Sequence, residues 1–126
     1  MVARINEAQN RRDKAIWLAA TDPDAVMIPA REWPENARVR GAEAIWDFYG
    51  EVMGTWEEGS FELAETIDSG ADVLVGNVHR RARGKASGVG FDFSYWVVIT
   101  RRKELAVRIE WFSDRTEALE AAGLSE

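Results

Sequence analysis

The sequence predicts an α+β domain in which helix, short strand and helix precede an antiparallel meander and a closing helix. Three observations carry this. Apolar residues recur at helical spacing in two segments of the first half. Residues 89–101 alternate strictly, as a strand does. From Arg108 to Glu126 a strand with an acid between bulky apolar residues breaks at Ser113-Asp114 into a short helix that stops at Gly123.

Residues 2–20 read as a helix, with Ile5, Ala8, Ile16 and Ala20 on one side and a break near Asn10. It ends at Thr21, because Pro23 in Asp22-Pro23-Asp24 disfavours helix at the residue before it. Ala25 to Ile28 forms a short buried strand closed by Pro29, and Arg31 to Arg40, with Trp33-Pro34-Glu35, is a loop. Gly41 opens a second helix over Ala42 to Met53. Its residues Ile45, Trp46, Phe48, Tyr49, Val52 and Met53 make one wide apolar face. Four strands follow: Phe61–Asp68, ending in the turn Asp68-Ser69-Gly70, then Val73–Arg83, Val89–Arg101 and Leu105–Phe112.

The chain of 126 residues has the length of one domain, 1–126. At 46% hydrophobic with 6 Trp and 5 Phe it has ample material for a core, which argues against disorder. A net charge of -6 argues against nucleic acid as a partner. No apolar run approaches ~18 residues, so no membrane helix is expected. The opening MVARINEAQNRRDKA lacks a signal-type apolar core and reads as part of the domain. The absence of Cys excludes disulfides and thiolate chemistry, and a cytoplasmic location is the simplest reading.

The second-half strands are apolar on both faces. On one, Phe91, Phe93, Tyr95, Val97 and Ile99 oppose Trp96 and Val98; on the last, Val107, Ile109 and Trp111 oppose Arg108, Glu110 and Phe112. One face packs on the helices, and the other needs a partner, for which a homodimer is the economical answer.

The order of landmarks resembles the SnoaL-like branch of the nuclear transport factor 2-like superfamily over nearly the whole chain. These landmarks are Asp22-Pro23-Asp24-Ala25-Val26, Trp33-Pro34-Glu35 with Gly41-Ala42-Glu43-Ala44-Ile45, the Gly84–Gly90 stretch, and the terminal Asp114-Arg115 to Gly123-Leu124. The resemblance implies a curved antiparallel sheet wrapped around the N-terminal helices as a cone, an internal pocket, and homodimers paired through the outer sheet face. It implies no cofactor. Aligned with the limonene-epoxide-hydrolase type, Asn77 falls where that type has Arg, His79 at its proton-donating Asp, and Glu110 at its water-activating Asp. The altered residue types make epoxide hydrolysis possible but not favoured. The positions used by ketosteroid isomerases fall near Ile5, Ile28 and Trp96, all apolar, which disfavours that enolisation. In SnoaL-type cyclases an acid on the last two strands serves an aldol closure, and Glu110 is its counterpart.

Read from the residues, His79 is the single histidine, on one strand face with Val73, Val75, Asn77 and Arg81. Such a face runs from apolar to polar, as a pocket wall leading to a mouth does. His79 is then a general acid or base, or else a solvated strand-end histidine. Glu110 is a pocket acid, or a sheet-surface Glu paired with Arg108 or Arg81. Asp92 is a weaker candidate near the turn. Trp96 and Trp46 line a pocket for a ring system or fill it, and Tyr49 donates a hydrogen bond from the second helix or faces the sheet. Trp33 reads as a lid or packing residue. Arg80, Arg81, Arg83 and Lys85, with Arg101, Arg102 and Lys103, read as solvated rim charges.

The glycine-rich Gly84–Gly90 leads into a strand, so it lacks the helix N-terminus of a phosphate site. No set of His, Asp and Glu has metal-site spacing. Two functions remain open. One is an acid/base enzyme, of cyclase, isomerase or hydrolase type, in which His79 and Glu110 act on a small apolar or polyketide-like molecule and Asn77 orients it. The other is a non-catalytic ligand-binding or protein-interaction module with a filled pocket.

Overall fold

The computed structural model describes residues 7–8, 11–31, 33, 37–54, 56–68, 72–84 and 90–124, and at 52–54, 56–62, 64, 68, 80–84 and 90–93 the backbone alone. Expectations for Ile5, Asn10, Pro34, Glu35, the Ser69-Gly70 turn and residues 85–89 lie outside these residues. So do the side chains of Arg80, Arg81, Arg83, Lys85, Phe91, Asp92 and Phe93.

The first helical segment is interrupted at Arg12, whose φ of 54° is left-handed. The Asp13 amide closes the first piece on the Ala8 carbonyl at 2.9 Å. The Asp13 side chain then caps the next helix, α1 (Lys14–Ala19), by accepting from the Ile16 amide at 3.2 Å. Strand β1 (Thr21–Ile28) begins earlier than its apolar pattern suggests. It tolerates Pro23 because the register with its neighbour shifts between Thr21 and Val26, so that stretch makes no regular ladder. A two-residue strand, β2 (Val39–Arg40), lies inside the expected loop. Gly41, at φ 100°, donates to the Ala25 carbonyl at 2.7 Å and leads into α2 (Ala42–Gly54).

Four long strands follow: β3 (Trp56–Asp68), β4 (Val73–Gly84), β5 (Gly90–Arg102) and β6 (Leu105–Phe112). Lys103 and Glu104, at φ 51° and 67°, make the two-residue β5–β6 connection. Helix α3 (Arg115–Ala121) is capped by Asp114, which accepts from the Thr116 amide at 2.7 Å. It ends at Gly123, φ 78°, where the Leu124 amide reaches the Leu119 carbonyl at 2.8 Å and the Gly123 amide reaches Glu120 at 3.0 Å.

The strand order is β2-β1-β6-β5-β4-β3. The last four strands form the expected antiparallel meander, but β1 joins β6 in parallel, so the sheet is mixed. One row crosses five strands: Ile28, Glu110, Val98, Val75 and Ile67. Side chains in such a row share a face.

That alternation sorts the sheet into two cores. The inner face carries Met27, Leu74, Val78, Val97, Ile99, Ile109 and Trp111 against Trp17 of α1 and Ile45, Trp46 and Tyr49 of α2. The outer face carries Val75 and Val98 against Ala118 of α3, with Ile67, Val73, Trp96 and Phe112 half-buried around them. Helix α3 covers the centre of the second apolar face, at Val75 and Val98. No helix among the described residues is long and apolar enough to cross a membrane.

Candidate functional site

Inner and outer faces differ chemically. Helix α2 places Ala42, Ile45, Trp46 and Tyr49 at i, i+3, i+4 and i+7, so all four are buried against the sheet. Trp46 meets Trp17 at 5.7 Å between ring centroids, and Trp17 meets Tyr49 at 6.4 Å. Tyr49 reaches Trp111 of β6 at 6.4 Å, Trp111 meets Trp33 at 5.4 Å, and Trp33 stands edge-on to Tyr95 of β5 at 5.2 Å. Six aromatic side chains thus form an unbroken run from α2 across the sheet. Tilted and edge-on pairs suit the ring quadrupole. At its margin Leu18, Val39, Phe48, Leu63 and Tyr95 are only partly buried.

Polar handles on this run are few. The Trp111 Nε1–H donates to the Tyr49 hydroxyl at 2.9 Å, in a buried bond. Because indole is donor only, Tyr49 accepts there, and its own O–H proton points elsewhere. The Trp17 Nε1–H is buried without an acceptor among the described residues.

His79, Asn77 and Glu110 lie on the outer face. Asn77 opposes Trp96, and His79 opposes the exposed Ser94. The expected shared face of Val73, Val75, Asn77 and His79 is present, but it is the α3 side of the sheet. Glu110 lies level with Val98 and Val75, while His79 sits four residues further along β4 and two strands away from β6. With strands ~4.8 Å apart and ~3.3 Å per residue, the two backbones are about 16 Å apart. The structure does not bring His79 and Glu110 together.

Local partners occupy the other groups. Glu110 Oε1 accepts from Arg108 Nε at 2.7 Å, its side chain 20% exposed. Asn77 Nδ2 donates to Ser94 Oγ at 2.7 Å and to the Tyr95 carbonyl at 3.0 Å. Trp96, with the Arg115 guanidinium 5.4 Å from its ring, and Trp46 are on opposite faces, so they line no common cavity.

Glu110 does border an outer cleft of ≈ 480 Å³ between α3 and the ends of β1 and β6. Ile28 and Phe112 contribute apolar surface, and the Arg31–Glu117 ion pair, 2.8 Å, lies at its side. Among the described residues no group of three His, Cys, Asp or Glu is placed to hold a metal ion. The sequence did not single out Trp17 or Trp111, which complete the inner-face aromatic run. The helical spacing of Trp46 and Tyr49 was the readable signal for this face.

The SnoaL-like domain family matches residues 2–109. No curated protein matches the chain. Among solved structures, a nuclear transport factor 2-like protein from Burkholderia xenovorans is 27% identical, with 96% of this chain and 91% of that one covered at a TM-score of 0.75. A protein of ketosteroid isomerase-like fold from Catenulispora acidiphila, solved with trimethylamine, is 14% identical, with coverage of 98% and 92% and a TM-score of 0.77. TerC, co-crystallised with polyporic acid, is 19% identical, with coverage of 96% and 93% and a TM-score of 0.76.

Proposed function

Because this chain belongs to the SnoaL-like domain family, we propose that it is a small-molecule-binding protein whose inner face takes a planar, ring-bearing organic ligand. The aromatic run from Trp46 to Tyr95 carries this reading. Rings of this kind offer large, rigid, sequence-fixed surfaces at little entropic cost. The half-buried Tyr95 and Phe48 mark where a ligand ring would extend the stack. Two structural neighbours hold small organic molecules, which agrees with the fold lending itself to such binding.

In this reading His79 and Glu110 do not act as a pair. The test is calorimetric titration with 2-naphthamide, a planar neutral probe. Trp46→Ala should weaken binding about tenfold or more, whereas His79→Ala and Glu110→Gln should leave it within a factor of two. Loss of binding in the latter two, with Trp46→Ala unaffected, would move the site to the outer face. That outcome would revive acid/base chemistry there.

The outer face serves in this reading as a homodimer contact, since Ile67, Val73, Trp96 and Phe112 stay only half-buried around α3. Sedimentation at micromolar concentration should give twice the chain mass of 14.2 kDa. A monomer would count against it. A chain without cysteine is at home in the cytoplasm, among other compartments.

A further inference from the structure

Three features meet at Arg12. Its backbone is left-handed at φ 54°, a conformation that non-glycine residues seldom adopt. Its guanidinium carbon lies 3.9 Å from the centre of the Trp46 ring. Burial lowers its pKa from the ordinary value, and the charge of Asp47 offsets this only in part. Neighbouring cations are paired, Arg11 with Glu7 at 2.7 Å and Lys14 with Glu43 at 3.3 Å. Arg12 forms no ion pair with any described residue.

Gly50 adds a fourth feature. Glycine inside a helix is about 1 kcal/mol less favourable than alanine, yet it stands within α2. A Cβ at this position would lie 2.7 Å from Arg12 Nη2. The missing side chain thus leaves the space in which the guanidinium sits over the indole. A stacked guanidinium keeps its N–H edge free for a planar anion, and it is pre-organised for bidentate contact.

We propose that Arg12, laid on Trp46 in the space left by Gly50, is an anion-binding group that selects carboxylate-bearing aromatic ligands for the inner face. The proposal rests on the inner-face reading above and narrows its ligand class. Trp46 links the two, because it carries Arg12 on its ring and contacts Trp17 in the aromatic run. The ligand ring would stack with the run while its carboxylate meets Arg12.

The experiment compares 2-naphthoate with 2-naphthamide by calorimetry on the full chain. The wild-type protein should bind the carboxylate about tenfold or more tightly than the amide. Arg12→Gln should bring that ratio close to one. Gly50→Ala should do the same by pushing the guanidinium off the ring, while melting at or above the wild-type temperature because the helix gains an alanine. That combination separates the proposal from simple misfolding. A ratio near one in the wild type, or a preference that survives both substitutions, overturns it. Binding of the amide without carboxylate preference overturns this proposal alone; no binding of either probe overturns the inner-face reading with it.

Discussion

Trp111 of β6 donates its indole N–H to the Tyr49 hydroxyl of α2 at 2.9 Å, joining residues 62 positions apart in a buried bond. This pair ties the second helix to the sheet at the middle of the aromatic run. Tyr49→Phe keeps the ring but strands the Trp111 N–H, so it should cost about 1–3 kcal/mol. Chemical denaturation measures this. A cost under ~0.5 kcal/mol would mean that the bond contributes nothing net.

The β5–β6 connection runs against residue preference. Lys103 and Glu104 both adopt positive φ, 51° and 67°, where Asn-Gly is favoured for a two-residue hairpin turn. Replacing them with Asn and Gly should raise stability by about 1 kcal/mol, seen as a higher melting temperature. An unchanged or lower melting point would show that these side chains have compensating contacts.

Gly123 ends α3 in the left-handed region, and Leu124 folds back on the outer core. A Cβ at Gly123 meets nothing within 4 Å, so Gly123→Ala tests backbone strain alone. It should destabilise by about 1 kcal/mol. A neutral result would indicate that the helix end refolds without the turn.

His79 and Glu110 lie too far apart to share a proton, and Glu110 is held by Arg108. Their substitutions should therefore be additive in stability within ~0.5 kcal/mol. A double-mutant cycle on His79→Ala and Glu110→Gln checks this. A coupling energy of 1 kcal/mol or more would contradict the separation.

The sequence made some elements readable and hid others for physical reasons. The closing unit was plain, because an Asp cap and a Gly stop bracket Arg115–Ala121 and act locally. The buried face of α2 was equally plain, since Ile45, Trp46 and Tyr49 follow one helical stripe. Strand β2 was missed because two residues carry no period. The parallel β1–β6 pairing was missed because it joins the chain's beginning to its end, and no local signal encodes it.

His79 and Asn77 were rightly placed on one side of β4. Alternation alone does not say which side faces the helices when both faces are apolar. What decides it is α3, whose Ala118 packs on Val75 and Val98 and claims the Asn77 face as the outer one. The Arg12–Gly50 contact was unreadable for a similar reason, since the fold brings together residues that share no local pattern.

The most direct test follows the indole N–H resonances of the six tryptophans during titration with 2-naphthamide. The inner-face account predicts that signals of Trp46, Trp111 and Trp33 shift while that of Trp96, on the outer face, stays in place. Movement confined to Trp96, or no movement of any indole signal at saturating probe, would contradict it.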